Sequence, residues 1–204
     1  MVEFASICEK LELRLSPATE SLPPATEIKQ AAVALILRQY LGIAELLIIR
    51  RAPASGDYWS GNLGLPDGRH QANDANLCAT ALRETFEEVG IDCTSGGRVL
   101  GCLDTIETTN PLAPKVAVTP FVTIAPPAYH QTASGTEPPA LTLNHEVATA
   151  FWAPLSLLKE KGRSEVFRLI IQEQEREWLA YPTVHGPIWG MTERILTSFL
   201  ALLD

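Results

Sequence analysis

The stretch GRHQANDANLCATALRETFEEVGI, residues 68–91, decides how the rest of the chain is interpreted. Its second half is expected to form a helix, because apolar residues recur there at helical spacing. Asp74 or Asn73 is expected to cap the start of this helix, and Gly90 suits the left-handed conformation that ends one. The expected apolar stripe consists of Cys78, Ala79, Leu82, Phe86 and Val89.

Three glutamates, Glu84, Glu87 and Glu88, fall on the opposite side of this helix, because residues three and four apart are neighbours. Like charges this close repel one another and destabilise the helix. One interpretation is a solvated acidic face, which is common on helices. The other is a site for hard divalent cations, which take oxygen ligands and cancel the repulsion.

The whole stretch resembles the Nudix box. That box reads Gly, five residues, Glu and seven residues, followed by Arg-Glu-apolar-x-Glu-Glu-x-Gly-apolar. Here Asp74 takes the position of the first Glu, eight residues separate it from Arg83, and Thr85 takes the apolar position. The longer spacer is similar to that of the coenzyme A pyrophosphatase-like branch of the family. The resemblance implies an α/β fold, a Nudix-type α/β/α sandwich with a mixed central sheet.

Two parts of the chain are expected. Residues 1–27 are expected to form an N-terminal helix and a Pro-rich linker, because helix-like apolar spacing from Phe4 to Leu15 gives way to Pro17, Pro23 and Pro24. Residues 28–204 are expected to form the Nudix hydrolase domain. A length of 204 residues suits one domain with a short terminal addition.

Short apolar runs predict the strands of this domain. The expected strands are residues 31–37, 44–49, 98–105, 116–124 and 147–152. Residues 154–161 are expected to form a short helix, and a longer helix follows Trp189 and Gly190. Residues 165–171 and 177–181 are expected to form a hairpin, with helix as the alternative for the first segment. Loops are expected at residues 110–114 and 125–139.

The resemblance implies roles for the box residues. Glu84 and Glu88, assisted by Glu87, would bind Mg2+ or Mn2+, with the Gly68 carbonyl as a further ligand. Arg83 would orient a carboxylate in the catalytic site. These ions polarise phosphoryl oxygens and lower the pKa of a bound water.

Outside the box, the resemblance implies a further Glu that acts as a general base or as another metal ligand. Glu146 is the expected residue, because it directly precedes a predicted strand that could direct it towards the box. A solvated acid at the end of a strand is the alternative. Glu137 is the second acid of this region, but Pro138 and Pro139 follow it in an irregular loop. Arg51 is expected to bind substrate. Trp59 is assigned the same role, with a partly buried core aromatic as the alternative.

The implied activity is hydrolysis of a small-molecule diphosphate. The spacing of Gly61, Leu65 and Pro66 and the later Trp189-Gly190 pair resemble the coenzyme A-type branch, which suggests cleavage of coenzyme A or acyl-coenzyme A to 3′,5′-ADP and phosphopantetheine. Asp67 departs from that branch, which has Gly at this position. The alternatives are hydrolysis of ADP-ribose or another nucleoside diphosphate derivative, and a non-catalytic nucleotide-binding module.

Composition and charge exclude several further classes of protein function. A formal net charge of −8 argues against a general nucleic-acid or membrane-surface binder. Four cysteines without C-x-x-C spacing indicate free thiols, and no signal peptide or membrane span is recognisable, so a cytoplasmic protein is expected. The sequence has no Walker-type or G-x-S-x-G motif. A monomer and a homodimer are equally compatible with it.

Overall fold

Two long strands, β1 (Lys29–Tyr40) and β2 (Ile43–Arg51), form the centre of the molecule as an antiparallel hairpin. Leu41 and Gly42 connect them with φ values of 47° and 84°. Positive φ at both turn residues matches the twist of the flanking strands. The hairpin predicted from the sequence is therefore confirmed, and both strands extend beyond their predicted bounds.

The computed structural model describes residues 4–18, 28–54, 59–108, 115–131, 133, 135–171 and 174–204. Six further strands complete the main sheet: β3 (Leu63–Gly64), β4 (Asp67–Arg69), β5 (Arg98–Cys102), β6 (Ile106–Glu107), β7 (Val116–Ile124) and β8 (Val147–Pro154). The sheet order is β3-β2-β1-β7-β5, and β4, β6 and β8 pair with β1, β7 and β2. Strands β1 and β7 are parallel and the other pairs are antiparallel, so the predicted mixed sheet is confirmed.

The strand predicted at residues 98–105 is shorter than expected and ends at Cys102. The backbone of Cys102 exchanges hydrogen bonds with Ser16, and regular pairing with β7 resumes at β6. The loop predicted at residues 110–114 lies outside the described residues. In the loop predicted at residues 125–139, Pro127–Tyr129 forms a single 3-10 turn and Gln131 pairs with Tyr40.

Helices cover both faces of the sheet: α1 (Phe4–Arg14), α2 (Leu77–Val89), α3 (Leu155–Lys161) and α4 (Gly190–Ala201). Successive side chains of a strand point to opposite faces. Residues such as Val33 and Leu35 of β1 accordingly join one core cluster with α1, α3 and α4, whereas Ala34 and Ile36 join a second cluster with α2. This arrangement confirms the predicted α/β/α sandwich.

A second, three-stranded antiparallel sheet contains β9 (Glu165–Ile171), β10 (Gln174–Thr183) and β11 (Gly186–Ile188). The predicted late hairpin is confirmed, and the helical alternative for its first segment is wrong. The Trp189 ring stacks on Phe167 with a centroid distance of 4.5 Å and lies 5.2 Å from the Trp178 ring. These aromatic contacts join the hairpin to the start of α4.

Helix α2 departs from the sequence prediction at its start. Its cap is Asn76, whose side chain accepts a hydrogen bond from the Ala79 amide at 2.8 Å. The prediction of Asp74 or Asn73 was wrong, because the carboxylate of Asp74 is used by residues of the preceding loop and by Arg83. At the other end Gly90 is left-handed with φ 76°, as predicted.

The buried face of α2 also differs from the predicted apolar stripe. Phe86 is 57% exposed, whereas Glu84 and Glu88 are 8% and 1% exposed. The side of the helix that meets the sheet carries Thr80, Ala81, Glu84, Thr85, Glu88 and Val89. The prediction that all three glutamates lie opposite the buried face is therefore wrong for Glu84 and Glu88, because periodicity ranks residues by hydrophobicity and cannot recognise buried acids.

Asp74 connects the loop before α2 to the helix. Its carboxylate accepts hydrogen bonds from Arg83 Nε at 2.8 Å and Arg83 Nη2 at 3.0 Å. It also accepts from the Gln71 amide and the Thr80 hydroxyl, each at 2.9 Å. These donors, led by the Arg83 guanidinium, lower the pKa of Asp74 to about 2.

None of the helices in the described part of the chain is long and apolar enough to cross a membrane.

We predict that Asp74→Asn lowers the free energy of unfolding by roughly 2 kcal/mol at neutral pH, because the ionised side chain is stabilised more strongly in the folded protein than in the unfolded chain. A depressed carboxyl pKa contributes stability above the unfolded value, and the contribution is lost as pH falls towards about 2. Denaturant unfolding at several pH values measures this difference. A gap between wild type and Asp74→Asn that stays constant from pH 7 to pH 2.5 would contradict the assignment.

Candidate metal and active site

Glu84 and Glu88 lie on successive turns of α2 and face strand β4. Gly68 of β4 lies directly against Glu84: a Cβ atom placed on Gly68 would be 2.0 Å from the Glu84 Cδ and Oε1 atoms. Such a separation is far below van der Waals contact, so any side chain at position 68 would displace the Glu84 carboxylate. Glycine at this position therefore makes room for a buried acid.

The buried pair has an unfavourable electrostatic environment. Loss of water around Glu88, aided by the charge of Asp67, raises the pKa of Glu88 to about 9. The Asp67 amide donates a hydrogen bond to Glu88 Oε2 at 3.2 Å and partly opposes that shift. Burial also raises the pKa of Glu84, although Arg83 favours its ionised form. A nearby cation would stabilise both carboxylates in their charged state.

Arg83 is enclosed by acceptors. Its Nη1 atom donates to Glu84 Oε1 at 2.7 Å and to Glu87 Oε2 at 3.0 Å. Its Nη2 atom donates to the Arg69 carbonyl at 3.2 Å, in addition to the contacts with Asp74. Glu87 is exposed and belongs to this arginine network. The structure therefore places Arg83 as a link between the loop and two box carboxylates.

The candidate ligands for a divalent ion are the carboxylates of Glu84, Glu87 and Glu88 and the carbonyl of Gly68. Among the residues that the structure describes, no three His, Cys, Asp or Glu side chains already form a metal site. Arg83 engages one oxygen of Glu84 and one of Glu87. The donors at positions 84, 87, 88 and 68 are nevertheless all oxygens, which hard cations prefer. A carboxylate that is 1% exposed, such as Glu88, is also costly without a cation. The residues fit such an ion in their chemistry.

Of the two predicted substrate residues, only Arg51 has a described contact that relates it to this pair. Arg51 ends β2, and its Nη1 atom lies 3.2 Å from Asp67 Oδ1. Trp59 is 38% exposed and its carbonyl accepts the Asn62 amide in the turn before β3. Residues 55–58 lie outside the described part of the chain. Arg51 is thus brought next to the carboxylates through Asp67.

Glu146 immediately precedes β8, and its carbonyl accepts the Ala52 amide at 2.7 Å, beside the end of β2. Its side chain is exposed, with Oε1 4.0 Å from His145 Nε2. The segment leading to Glu146 also reaches α2, because the Asn144 amide donates to the Glu88 carbonyl at 3.2 Å. These bonds bring the Glu146 backbone to the end of the sheet that holds Arg51.

Glu137 lies at the opposite end of β1. It accepts hydrogen bonds from the Tyr40 hydroxyl at 3.3 Å and from Gln131 Nε2 at 3.2 Å. Tyr40 is seven residues along β1 from Val33, which pairs with β4. At a strand rise near 3.3 Å this separation is about 23 Å.

Sequence reasoning missed two features of the site. Asp74 was considered a cap, and its role as the partner of Arg83 was not foreseen. The signal for this role in the sequence is that Asp74 takes the position of the first Glu of the box. The second feature is the contact between Arg51 and Asp67, which joins residues sixteen positions apart. No local pattern indicates such a contact.

A model of the NUDIX domain matches residues 28–172. A protein of Enterobacter sp. (strain 638) named "Uncharacterized Nudix hydrolase NudL" is 34% identical over 173 residues, which cover 82% of this chain and 79% of that protein. A protein of the same name from Citrobacter koseri is 34% identical over 138 residues, covering 67% of this chain and 64% of that protein.

Two solved structures have similar folds. A MutT/nudix family protein from Enterococcus faecalis has a TM-score of 0.57 at 18% identity, covering 90% of this chain and 65% of that one. A NUDIX hydrolase from Alicyclobacillus acidocaldarius has a TM-score of 0.52 at 18% identity, covering 86% of this chain and 92% of that one. Nudix hydrolases generally need a divalent metal ion.

The family model spans more than half of the chain, and relatives named as Nudix hydrolases exceed 30% identity over most of it. The box residues, the mixed sheet and the covering helices agree with this match. The chain therefore belongs to the Nudix hydrolase family.

Proposed function

We propose that this protein is a metal-dependent pyrophosphohydrolase whose favoured substrate is coenzyme A or an acyl-coenzyme A. The observation that supports the proposal is the buried pair of carboxylates at Glu84 and Glu88, each costly to ionise without a cation. The products would be 3′,5′-ADP and phosphopantetheine or its acyl form. The cytoplasmic location expected from the cysteine pattern stays a prediction.

Glu84 and Glu88, with Glu87 and the Gly68 carbonyl, would hold Mg2+ or Mn2+. When bound, such an ion polarises phosphoryl oxygens and lowers the pKa of a water molecule. Arg83 fixes the positions of Glu84 and Glu87 through its Nη1 atom. Since its three nitrogens are engaged by protein acceptors, Arg83 acts by positioning these carboxylates.

The reaction adds water across the diphosphate. The water oxygen forms a bond to one phosphorus, the bond from that phosphorus to the bridging oxygen breaks, and the second phosphate leaves with the bridging oxygen. Glu146 would accept a proton from the attacking water, since the box carboxylates are committed to the metal. Arg51 would bind the phosphates, and Trp59 would contact the remainder of the substrate.

ADP-ribose, or another nucleoside diphosphate derivative, is the second candidate substrate. Asp67 stands where the coenzyme A-type signature has Gly, and its carboxylate pairs with Arg51 beside the site. This departure alters the charge that a coenzyme A diphosphate would meet. The third hypothesis, a non-catalytic nucleotide-binding module, predicts binding without turnover.

A substrate panel tests the proposal. We expect the purified protein with Mg2+ or Mn2+ to cleave coenzyme A species, with 3′,5′-ADP identified by mass spectrometry. Much faster cleavage of ADP-ribose would contradict the favoured substrate. Binding of these nucleotides without any product would favour the non-catalytic module.

We predict that Glu88→Gln reduces kcat at least ~100-fold, the scale of losing a key electrostatic group. The same variant should raise the free energy of unfolding of the metal-free protein, because a neutral amide is cheaper to bury than a carboxylate. Kinetics and denaturant unfolding in chelator measure the two effects. Wild-type turnover that persists in excess chelator would disprove a metal requirement.

We predict that Gly68→Ala also lowers kcat about 100-fold, because the added methyl group forces the Glu84 carboxylate out of position. The fold should survive, since only the end of a flexible side chain has to move. Gly64→Ala is the matched control: a Cβ there would meet Thr192 Oγ1 at an ordinary 3.8 Å. Equal kcat for the two alanine variants would refute the steric argument.

We predict that Glu146→Gln lowers kcat by about 100-fold or more, the usual contribution of a general base, with a much smaller change in KM. Glu137→Gln should stay close to wild type, because its carboxylate binds Tyr40 at the far end of β1. Equal kcat for Glu146→Gln and Glu137→Gln would assign the base to another group.

A further inference from the structure

Asp67 contacts both charged parts of the candidate site. Its carboxylate lies 3.2 Å from Arg51 Nη1, and its backbone amide donates to Glu88 Oε2 at 3.2 Å. The side chains of Arg51 and Asp67 are 31% and 45% exposed, so water and a ligand can reach this pair. Asp67 therefore lies between a partly accessible arginine and a buried acid.

The neighbouring arginines differ in what they could offer an anion. Arg83 is held by Asp74, Glu84, Glu87 and a carbonyl. Arg50 donates to the carbonyls of Gly61 and His185. Arg51 meets a half-exposed carboxylate, and ion pairs this exposed contribute little to stability. Among the side-chain contacts given above for these three arginines, the exposed ion pair between Arg51 and Asp67 is the one most easily exchanged for a phosphate.

We propose that Asp67 couples cation binding to diphosphate binding, by holding Arg51 until a cation occupies the carboxylate site and by then contributing its own oxygen to that cation. The inference rests on the proposed function, because it uses Glu84 and Glu88 as the cation site. It adds to that function a residue at which this chain departs from the family pattern. It also assigns to that residue an effect on substrate binding.

The charges explain the direction of the coupling. Without a cation, Asp67 pairs with Arg51 and thereby keeps it from binding an incoming phosphate. With a cation beside Glu88, the Asp67 carboxylate has a stronger partner than an exposed guanidinium, and Arg51 can bind phosphate oxygens in its planar, two-pronged geometry. Binding free energies are reciprocal, so a diphosphate should also tighten cation binding.

The test uses the full chain and two probes, Mn2+ and imidodiphosphate, a diphosphate with nitrogen in the bridge. Mn2+ affinity is measured by electron paramagnetic resonance of the free ion, without any substrate. Imidodiphosphate affinity is measured by calorimetry in excess chelator. The variants are Asp67→Asn, Arg51→Gln and the double variant, with Glu137→Gln as a control that removes a distant charge. Asp67→Asn keeps the backbone amide that binds Glu88.

We expect Asp67→Asn to weaken Mn2+ binding about 10-fold. The same change should tighten metal-free imidodiphosphate binding about 5-fold. In the Arg51→Gln background the gain in imidodiphosphate affinity should fall below about twofold, since coupled residues are not additive. Glu137→Gln should change neither affinity.

Two results would overturn the inference. One is unchanged Mn2+ affinity in Asp67→Asn, which would reduce Asp67 to a turn residue. The other concerns imidodiphosphate affinity: Asp67→Asn either does not raise it, or raises it equally in the Arg51→Gln background. In the latter case simple repulsion by Asp67 would explain the gain. If the proposed function is wrong, Glu88→Gln will leave Mn2+ affinity unchanged, whatever Asp67→Asn does. This result distinguishes failure of the proposed function from failure of the inference about Asp67.

Discussion

The burial of the Glu84 and Glu88 carboxylates against strand β4 constrains the residues around them. An ionised carboxylate removed from water costs free energy unless donors or a cation replace the lost solvent. Arg83 supplies a donor to Glu84, and the Asp67 amide supplies one to Glu88. Gly68 supplies the space that Glu84 occupies. Strand β4, helix α2 and the loop between them thus all contact or support two buried carboxylates. A divalent cation would offset the remaining free-energy cost of burying their charge.

Departures from the family pattern have identifiable structural roles. Thr85 takes an apolar position and is fully buried, and its hydroxyl donates to the Ala81 carbonyl at 2.7 Å, so no polar atom is left unsatisfied there. Asp74 takes the position of the first glutamate and receives two hydrogen bonds from Arg83. Asp67 replaces a glycine and adds a carboxylate beside the pair. Each of these residues makes defined contacts, and Asp67 adds a negative charge next to Arg51 and Glu88.

The sequence predicted the central hairpin and the C-terminal end of α2 at Gly90, because these depend on local pattern and glycine chemistry, and its resemblance to the Nudix box implied the mixed sheet. It did not predict the buried face of α2. Phe86 is exposed and Glu88 is not, since the helix turns Glu84 and Glu88 towards β4. The Arg51–Asp67 and Arg83–Asp74 contacts were also inaccessible, because they join residues from different elements. Tertiary contacts of charged residues leave no periodic signal.

The central claim is that the Glu84–Glu88 pair holds a divalent cation. Crystals soaked in Mn2+ and measured near the manganese absorption edge test this directly, since the anomalous signal locates the ion without assumptions about its ligands. The account predicts a peak within coordination distance of carboxylate oxygens of both Glu84 and Glu88. A well-occupied peak elsewhere on the protein, with no peak at this pair, would contradict it.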